Sequence, residues 1–593
     1  MCGYLGKISR IPFNQESLIY PNKRIVCRGP DKTKILSFSK KNFHHSYIFN
    51  RLSIIDLSYK ADQPMEDDLN GSVLMFNGEI FNHIELKQYL NKKGQDFKTD
   101  HSDTEVVLKG IGLEGLEFVK KLRGQFSIYF YDPNKNLVYL IRDRIGQKPL
   151  YYSITNNEIL FSSNLKSIVE LKEDKAPVSN ESIFEYLVYG ATKSPNTIYE
   201  NIFKLPPATF LEINLNNLDQ SSSPVDYWKI TNYLNEKKFD FDEFKNIFEE
   251  SVLLRSKADV PISNFLSGGI DSTAIVKAMK NSNEPLNTFN ISFENKKIDE
   301  SKYAKIVSDK YSTNHQIIHI KNNFSVNEVF KIISNLDEPY GDPSYIPNFI
   351  ISKEMSKFFK VAMSGDGGDE LLGGYTRVQK ALTQKNIILN LFSSLYKYYP
   401  SFIGTGNILL KNSSNNGESF SSFIEDRNLA KFFGINNSLI RSNIVFPSNK
   451  FDIKDLLIAD YNFYLTEMMM YKVDSSSMSN SLEVRSPLVD HKLIEYVFSH
   501  NIDYELENPK KLLKNYLKDD FDKNFLNRKK QGFEFDIFNF IYSNFNFFIE
   551  EIFKGPLDSY LEIEKIMKLR LVKSRINAIR IWKIFVLSNY LKD

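Results

Sequence analysis

Residues 262–280 read ISNFLSGGIDSTAIVKAMK: an apolar, strand-like run at 262–266, a glycine turn, and a helix-forming run at 273–280. A strand that passes through a glycine loop straight into a helix must leave its sheet and fold back over it, the opening of a parallel, helix-covered sheet. The rhythm recurs. NTFNISF at 287–293 precedes a helical pattern at about 301–309, and FKVAM at 359–363 enters a second glycine-rich loop, SGDGGDELLGGY at 364–375. The second half of the chain is therefore expected to be an α/β, mostly parallel-sheet domain. From about residue 376 the pattern turns helical, and the Ser/Asn/Gly-rich stretch at 412–422 reads as an exposed loop.

The first part follows a different pattern. Short β-rich runs at 72–81, 125–131, 137–141, 150–154 and 159–162 are separated by turn chemistry, DPNKN at 132–136 and TNNE at 155–158, and stack most simply as antiparallel strands. Two helical segments, 84–93 and 104–110, interrupt them and give an α+β domain. That domain is expected to end near PPAT at 206–209. The polar run NLNNLDQSSSP at 214–224 marks a linker, so the chain divides into a domain at 1–213, a linker at 214–226 and a second domain at 227–593. A chain of 593 residues needs more than one core in any case.

Charge and composition exclude several classes of function. Lys+Arg number 76 against 73 Asp+Glu, and the basic patches PKKLLK (509–514) and RKK (528–530) do not extend into a stripe, so nucleic acid is not the expected partner. No run approaches the ~20 apolar residues that span a bilayer, and the N-terminus lacks a charged region before an apolar core; a cytoplasmic location and no membrane partner are expected. Cys2 and Cys27 are the two cysteines, too few for a disulfide framework and without the spacing of a zinc site.

Cys2 directly follows the initiator methionine. A cysteine at a mature N-terminus supplies a thiol nucleophile and, in its own α-amine, a base with a reference pKa near 8. Taken alone, Met-Cys is an accident of position more often than a catalytic site. It is followed, however, by RGPD (28–31), RLSIID (51–56), FNGEIFN (76–82), SDTE (102–105) and RDRIGQKPLYY (142–152). Each alone has a bland reading, and Asn-Gly in particular favours hairpin turns; six in order do not. The set resembles class II glutamine amidotransferase domains, which implies an N-terminal nucleophile hydrolase fold, two antiparallel sheets sandwiched between helices. By that resemblance Cys2 is the nucleophile, Asn77 and Gly78 form the oxyanion hole, and Arg51, Ile54, Ile55, Asn77, Glu79 and Asp103 hold glutamine. An amide and a backbone N–H suit the first role, and a guanidinium with carboxylates suits a zwitterion's two ends. The sequence departs from its relatives at Cys27, where they carry His before RGPD. Cys27 reads as a buried small residue, with an altered pocket or a redox contact to Cys2 left open.

In the second domain, LSGGIDST at 266–273 opens a helix after a strand. Glycine N–H groups, two serine hydroxyls and a helix N-terminus make a phosphate cradle. No Gly-Lys-Ser/Thr follows, so it is not a Walker A loop, and Asp271 in place of lysine points to magnesium as the positive charge. Asp366, Asp369 and Glu370 among the glycines of 364–375 are a solvated acidic turn or a second cation-holding group; a Mg²⁺ between Asp271 and Asp369 accounts for acids beside phosphates. SGGxDS resembles the ATP pyrophosphatases. The order SGGIDST, FNISFENKKIDESKYA, LDEPYGDPS, SGDGGDELLGGY, MSNSLEVRSPLVD and RKKQGF resembles glutamine-hydrolysing asparagine synthetases, and with the first-domain motifs covers about 1–532. What this implies is ATP bound by Leu266, Ser267, Gly268, Gly269, Asp271, Ser272, Ile291, Ser364 and Gly365, Mg²⁺ on Asp271 and Asp369, Asp366 beside an acyl-adenylate, and Lys530 stabilising phosphate charge. The small-molecule partners implied are glutamine, ATP and, as leading acceptor, aspartate; a sugar acid, peptide or other small acid is the alternative. Relatives are often dimers, which makes a homodimer compatible. A catalytically silent protein is disfavoured by the presence of Cys2, Asp271 and the SGG.

Overall fold

The computed structural model describes residues 2–218, 223–282, 285–293, 299–320, 324–383, 393–413, 415–434, 444–448, 451–505, 508–528 and 535–592. The first domain is built on two six-stranded antiparallel sheets. One has the order β10–β8–β9–β1–β3–β2, from β1 (Gly3–Ser9), β2 (Lys32–Lys40), β3 (Phe43–Arg51), β8 (Tyr151–Ile154), β9 (Glu158–Ser162) and β10 (Phe203–Lys204). The other runs β12–β11–β7–β6–β5–β4, from β4 (Met65–Glu66), β5 (Val73–Ile80), β6 (Gly124–Asp132), β7 (Leu137–Arg142), β11 (Thr209–Asn214) and β12 (Val225–Asp226).

Alternating residues decide the layers. Tyr4, Tyr47 and Phe49 of the first sheet meet Met75, Tyr129 and Leu140 of the second in one buried cluster between them. The opposite face of the second sheet, with Phe76, Phe126 and Ile128, is covered by the helices His83–Lys92 and Asp103–Glu114. Leu5, Ile48 and Leu160 on the first sheet's outer face pack under Leu165–Leu171 and Asn180–Tyr189. The result is helix, sheet, sheet, helix, the nucleophile-hydrolase sandwich that the resemblance implies.

Several expectations need correction. The sequence reading held two helices in this domain; the described residues add the one-turn helix Ile19–Asn22 and two longer ones, Leu165–Leu171 and Asn180–Tyr189, each of the longer two opened by a side-chain cap, Asn164 accepting Ser167 N–H at 3.0 Å and Ser179 accepting Ser182 N–H at 3.2 Å. Strands β1 to β3 were not read as strands. Part of the expected linker belongs to the sandwich, because Val225–Asp226 pairs back on Thr209 and Phe210. The stretch at 412–422 is no exposed loop among its described residues: it carries the short helix Asn416–Ser421, with Phe420 and Ser419 fully buried.

After β13 (Lys237–Lys238), the second domain forms a wholly parallel five-stranded sheet in the order β16–β15–β14–β17–β18, from β14 (Ile262–Phe265), β15 (Asn287–Phe293), β16 (Asn314–Ile320), β17 (Val361–Met363) and β18 (Glu483–Arg485). The remaining pair, β13 with β19 (His500–Asn501), is a separate ribbon. The chain winds outward from β14 through β15 to β16, then returns to place β17 on β14's other side. The strand order thus reverses between β14 and β17, the place where open α/β sheets bind ligands at the carboxyl ends of their strands. Both glycine loops emerge there. Among the described residues no helix is long and apolar enough to cross a membrane.

Candidate active site

Cys2 lies at the start of β1, whose pairing with β3 sets Gly3 opposite Asn50. Asn77, Gly78 and Glu79 are successive residues of β5, opposite Ser127, Phe126 and Gln125 of β6, so Asn-Gly here is extended strand and not a hairpin turn. The two-residue period sends Asn77 and Glu79 to the same face. Gly78 is dictated by space, since a Cβ there would lie 2.1 Å from the Gln125 carbonyl oxygen. Cys2 N–H donates to Asn77 Oδ1 at 3.1 Å, which turns the Asn77 amide nitrogen the other way, toward Ser127 Oγ at 3.5 Å.

One pocket gathers Cys2, Arg51, Ile54, Ile55, Gly78, Glu79 and Asp103, with Leu52, Gln63, Phe76, Thr104 and Glu483 completing its wall. Burial pushes the Cys2 thiol up; the chain's terminal amine, the Leu52 N–H and Arg51 act against that rise. Burial, then the neighbouring Asp103, drives Glu79 well above the usual carboxylate range, with Arg485 opposing. Asp103 is raised by burial too, countered by His83 and the Ile80 N–H, which donates to Oδ2 at 3.1 Å. Two buried acids that disfavour each other's charge in one pocket are a receptor for a cation. Arg51 forms the other end, where its Nη1 donates to the Ser58 carbonyl and Asp62, both at 2.8 Å, and its Nη2 to the Ile55 and Asp56 carbonyls.

The sequence reading missed Glu483. It reaches this pocket from β18 of the other domain, held by Arg485 Nε at 2.6 Å, while Arg485 Nη2 lies 3.3 Å from Glu79. Its only sequence signal was its place in SLEVR, to which no role was attached.

At the switch point, Ser267 Oγ accepts the Gly269 N–H at 3.1 Å and lies 3.3 Å from Ser272 Oγ, a turn that closes into the helix Ile270–Met279. Leu266 and Ile291, both buried, stand at the ends of adjacent strands β14 and β15. The second loop interlocks with the first, since a Cβ on Gly368 would lie 2.6 Å from Asp271 Oδ1. Ser364 is fixed by donating its N–H to the Arg485 carbonyl at 2.9 Å, Gly365 follows it, and Asp366 stands half-buried at the mouth. Glu370, accepting Tyr375 OH at 2.7 Å, is pushed up to about 7 by burial and by Asp369.

Asp271 and Asp369 converge on a single cation, the Lys510 ammonium, which contacts Asp271 and lies 2.7 Å from Asp369. Lys510 sits in the PKKLLK run and was not singled out from sequence. Two carboxylates that share one ammonium offer hard oxygen donors of the kind Mg²⁺ takes. Among the described residues no group of three His, Cys, Asp or Glu could hold a metal, so a Mg²⁺ on these two carboxylates would need further oxygen ligands from outside the protein. Lys530 lies outside the described residues, as does Met1.

The domains are locked by buried charge. Asp474 takes Arg28 at 2.8 Å and Lys148 at 3.1 Å, and Asp490 takes Arg123 at 2.9 Å and Arg255 at 2.6 Å. Arg28 Nε also donates to the Cys2 carbonyl at 3.1 Å. Behind Arg28 opens an inter-domain cavity of about 240 Å³ that Cys27 lines together with Asp337 and Asp474. Cys27 is therefore half-buried and faces that cavity, outside the pocket of Cys2; burial pushes its thiol up.

Comparison with known proteins gives a matching picture. Residues 243–569 match the asparagine synthase family and residues 1–228 the glutamine amidotransferase domain. A putative asparagine synthetase [glutamine-hydrolyzing] 2 of Methanocaldococcus jannaschii is 36% identical over 63% of this chain and 76% of its own length. Asparagine synthetase [glutamine-hydrolyzing] 1 of Bacillus subtilis is 29% identical over 99% of this chain and 96% of its own. Amidase chry2 of Gibberella zeae is 25% identical over 80% and 77%.

Proposed function

The chain belongs to the asparagine synthase family, behind a glutamine amidotransferase domain, and from that premise we propose that this ligase takes ammonia from glutamine at Cys2 and uses it to amidate aspartate through a β-aspartyl-adenylate. The observation that carries the reading is the pairing of two sites in one chain. A thiol pocket holds two buried acids and a guanidinium, and two interlocked glycine loops flank a strand-order reversal.

At the first site glutamine's α-ammonium meets Glu79 and Asp103, and its α-carboxylate meets Arg51, exchanging with the loop contacts that guanidinium now makes. Cys2 Sγ attacks the side-chain carbonyl carbon. The Gly78 N–H and, once its amide turns from Ser127, the Asn77 Nδ2 take the oxyanion; removing one such donor costs about 10²–10³ in rate. With Met1 removed, the Cys2 α-amine accepts the thiol proton and passes it to the departing ammonia; water then clears the thioester as glutamate. At the second site the cradle of Ser267, Gly268, Gly269 and Ser272 receives ATP; Asp271 and Asp369 are the residues that would hold Mg²⁺, whose charge would offset that of the phosphates. The acceptor carboxylate attacks the α-phosphorus, releasing pyrophosphate. Ammonia displaces AMP, with Asp366 as proton acceptor and Lys530 as phosphate partner. The cavity behind Arg28 supports a sheltered passage for ammonia, which would otherwise be lost as ammonium.

A second reading changes the acceptor alone, and the name of the chry2 relative, an amidase, favours keeping it. Incubation of the purified protein with glutamine, Mg-ATP and aspartate is expected to yield asparagine, AMP and pyrophosphate in equal amounts. AMP release that required some other acid would overturn the aspartate assignment.

A further inference from the structure

Asp259 belongs to the second domain, between the helix Phe241–Arg255 and β14, the strand that runs into the phosphate cradle. It nevertheless bonds to the first domain at three points. Its N–H donates to the Ile54 carbonyl at 3.0 Å, its Oδ2 accepts the Asp56 N–H at 2.7 Å, and the same oxygen lies 2.6 Å from His101 Nε2. The other ring nitrogen of His101 is 2.8 Å from Asp100 Oδ2.

What these bonds hold is the loop after Arg51. Ile54 and Ile55 are buried in the wall of the thiol pocket, and the carbonyls of Ile55, Asp56 and Ser58 take the Arg51 guanidinium. The loop carries strain at its centre. Asp56 has a φ of +49°, in the left-handed region that a residue with a Cβ occupies at a cost and keeps only where its surroundings fix it. Its side chain closes the next turn by accepting the Ser58 N–H at 3.1 Å and the Ser58 hydroxyl at 2.6 Å. When the Arg51 guanidinium turns to glutamine's α-carboxylate, it gives up the loop carbonyls. The loop is then held at Ser53 by Asp31, which accepts its N–H at 2.7 Å, and at Ile54 and Asp56 by Asp259.

We propose that Asp259 is a positioning residue for the glutamine site supplied by the other domain: together with His101 it clamps residues 54–56, so that glutamine meets a preformed wall. This rests on the amidotransferase reading above. With His101 31% and Asp259 32% exposed, the pair of side chains alone contributes little, and most of the clamp lies in the Asp56 N–H bonded to a charged acceptor. The pair does supply a pH signature. Burial works against charge on His101, but hydrogen bonds to Asp259 and Asp100 and the nearby Asp56, the charged groups that face the ring, raise it above the ordinary histidine value. The imidazolium–carboxylate contact is therefore complete below about 6.5 and is lost as pH rises through the raised value.

The test follows glutamate release from glutamine by wild type, Asp259→Ala, Asp259→Asn and His101→Gln, with AMP release driven by added ammonium as the measure of an intact second domain. Asp259→Ala is expected to raise the glutamine KM about tenfold with kcat within about twofold, the loss of a hydrogen bond to a charged acceptor. Asp259→Asn, whose amide oxygen still accepts the Asp56 N–H, should raise it by about threefold or less. The wild-type KM should climb by up to about fivefold as pH rises above the ordinary histidine range, and His101→Gln, which donates without titrating, should flatten that climb. Ammonium-driven AMP release should be equal in all four. Asp259→Ala with a wild-type KM, or with kcat and ammonium-driven synthesis lost alongside KM, overturns the assignment to Asp259 while the glutaminase reading stands. Wild type that releases no glutamate from glutamine overturns both.

Discussion

Replacing Asp474 by Asn removes one negative charge and little volume from the centre of the domain interface. Asp474 is 5% exposed, Arg28 8% and Lys148 2%, so two buried cations would face a neutral amide. Taking one partner from a buried ion pair costs about 3–5 kcal/mol. Arg28 also feels Asp337, which places the expected loss near the lower end, about 3 kcal/mol. Urea unfolding followed by the two tryptophans, Trp228 and Trp582, should show the midpoint falling by about 1 M, since slopes of a few kcal/mol per molar apply. The effect has a defined pH dependence. Burial opposes ionisation of Asp474, but Arg28 and Lys148 hold it below the usual carboxylate range. Its stabilisation is therefore present above the unfolded value near 3.9 and fades as pH falls through the depressed native one; wild type and variant should differ at neutral pH and converge in acid. Because Arg28 also fixes the Cys2 carbonyl, glutamine-driven synthesis should fall more than ammonium-driven synthesis. An unchanged midpoint at neutral pH would refute the interface argument.

Other outcomes follow from the same geometry. Asn77→Ala should lower kcat for glutamine hydrolysis by about 10²–10³ with little change in KM, because the amide acts on the oxyanion; steady-state glutamate release checks it. Glu79 and Asp103 are both raised, so they hold protons to higher pH than free acids do, and glutamine's ammonium needs them ionised. The glutamine KM should therefore climb as pH is lowered toward the ordinary carboxylate range, starting at higher pH than for free acids, and Glu79→Gln should weaken that dependence. Lys510→Met should leave Asp271 and Asp369 repelling one another, at a cost of about 3 kcal/mol. Melting with and without Mg²⁺ should then show a larger metal-induced rise than in wild type.

What was legible in the sequence was local. The glycine loops, the strands feeding them and the turn-bounded strands of the second sandwich sheet announce themselves over ten or so residues. So do the residues around Cys2, because strand period and short motifs fix their neighbours. The contacts formed at long range were not legible. Glu483 and Arg485 lie on a three-residue strand too short to show a period, and reach the thiol pocket only because β18 is seated beside β17. Lys510 stands 239 residues from Asp271 in what reads as a solvated basic run. The helices Leu165–Leu171 and Asn180–Tyr189 are buried around much of their girth, which erases the one-sided pattern of an amphipathic helix.

The central claim is that one chain joins two separable reactions, and Cys2→Ala separates them. Asparagine formation by this variant should be abolished with glutamine as nitrogen source and retained at close to the wild-type rate with added ammonium. Equal loss with both sources, or synthesis from glutamine that survives the substitution, would contradict the two-site account.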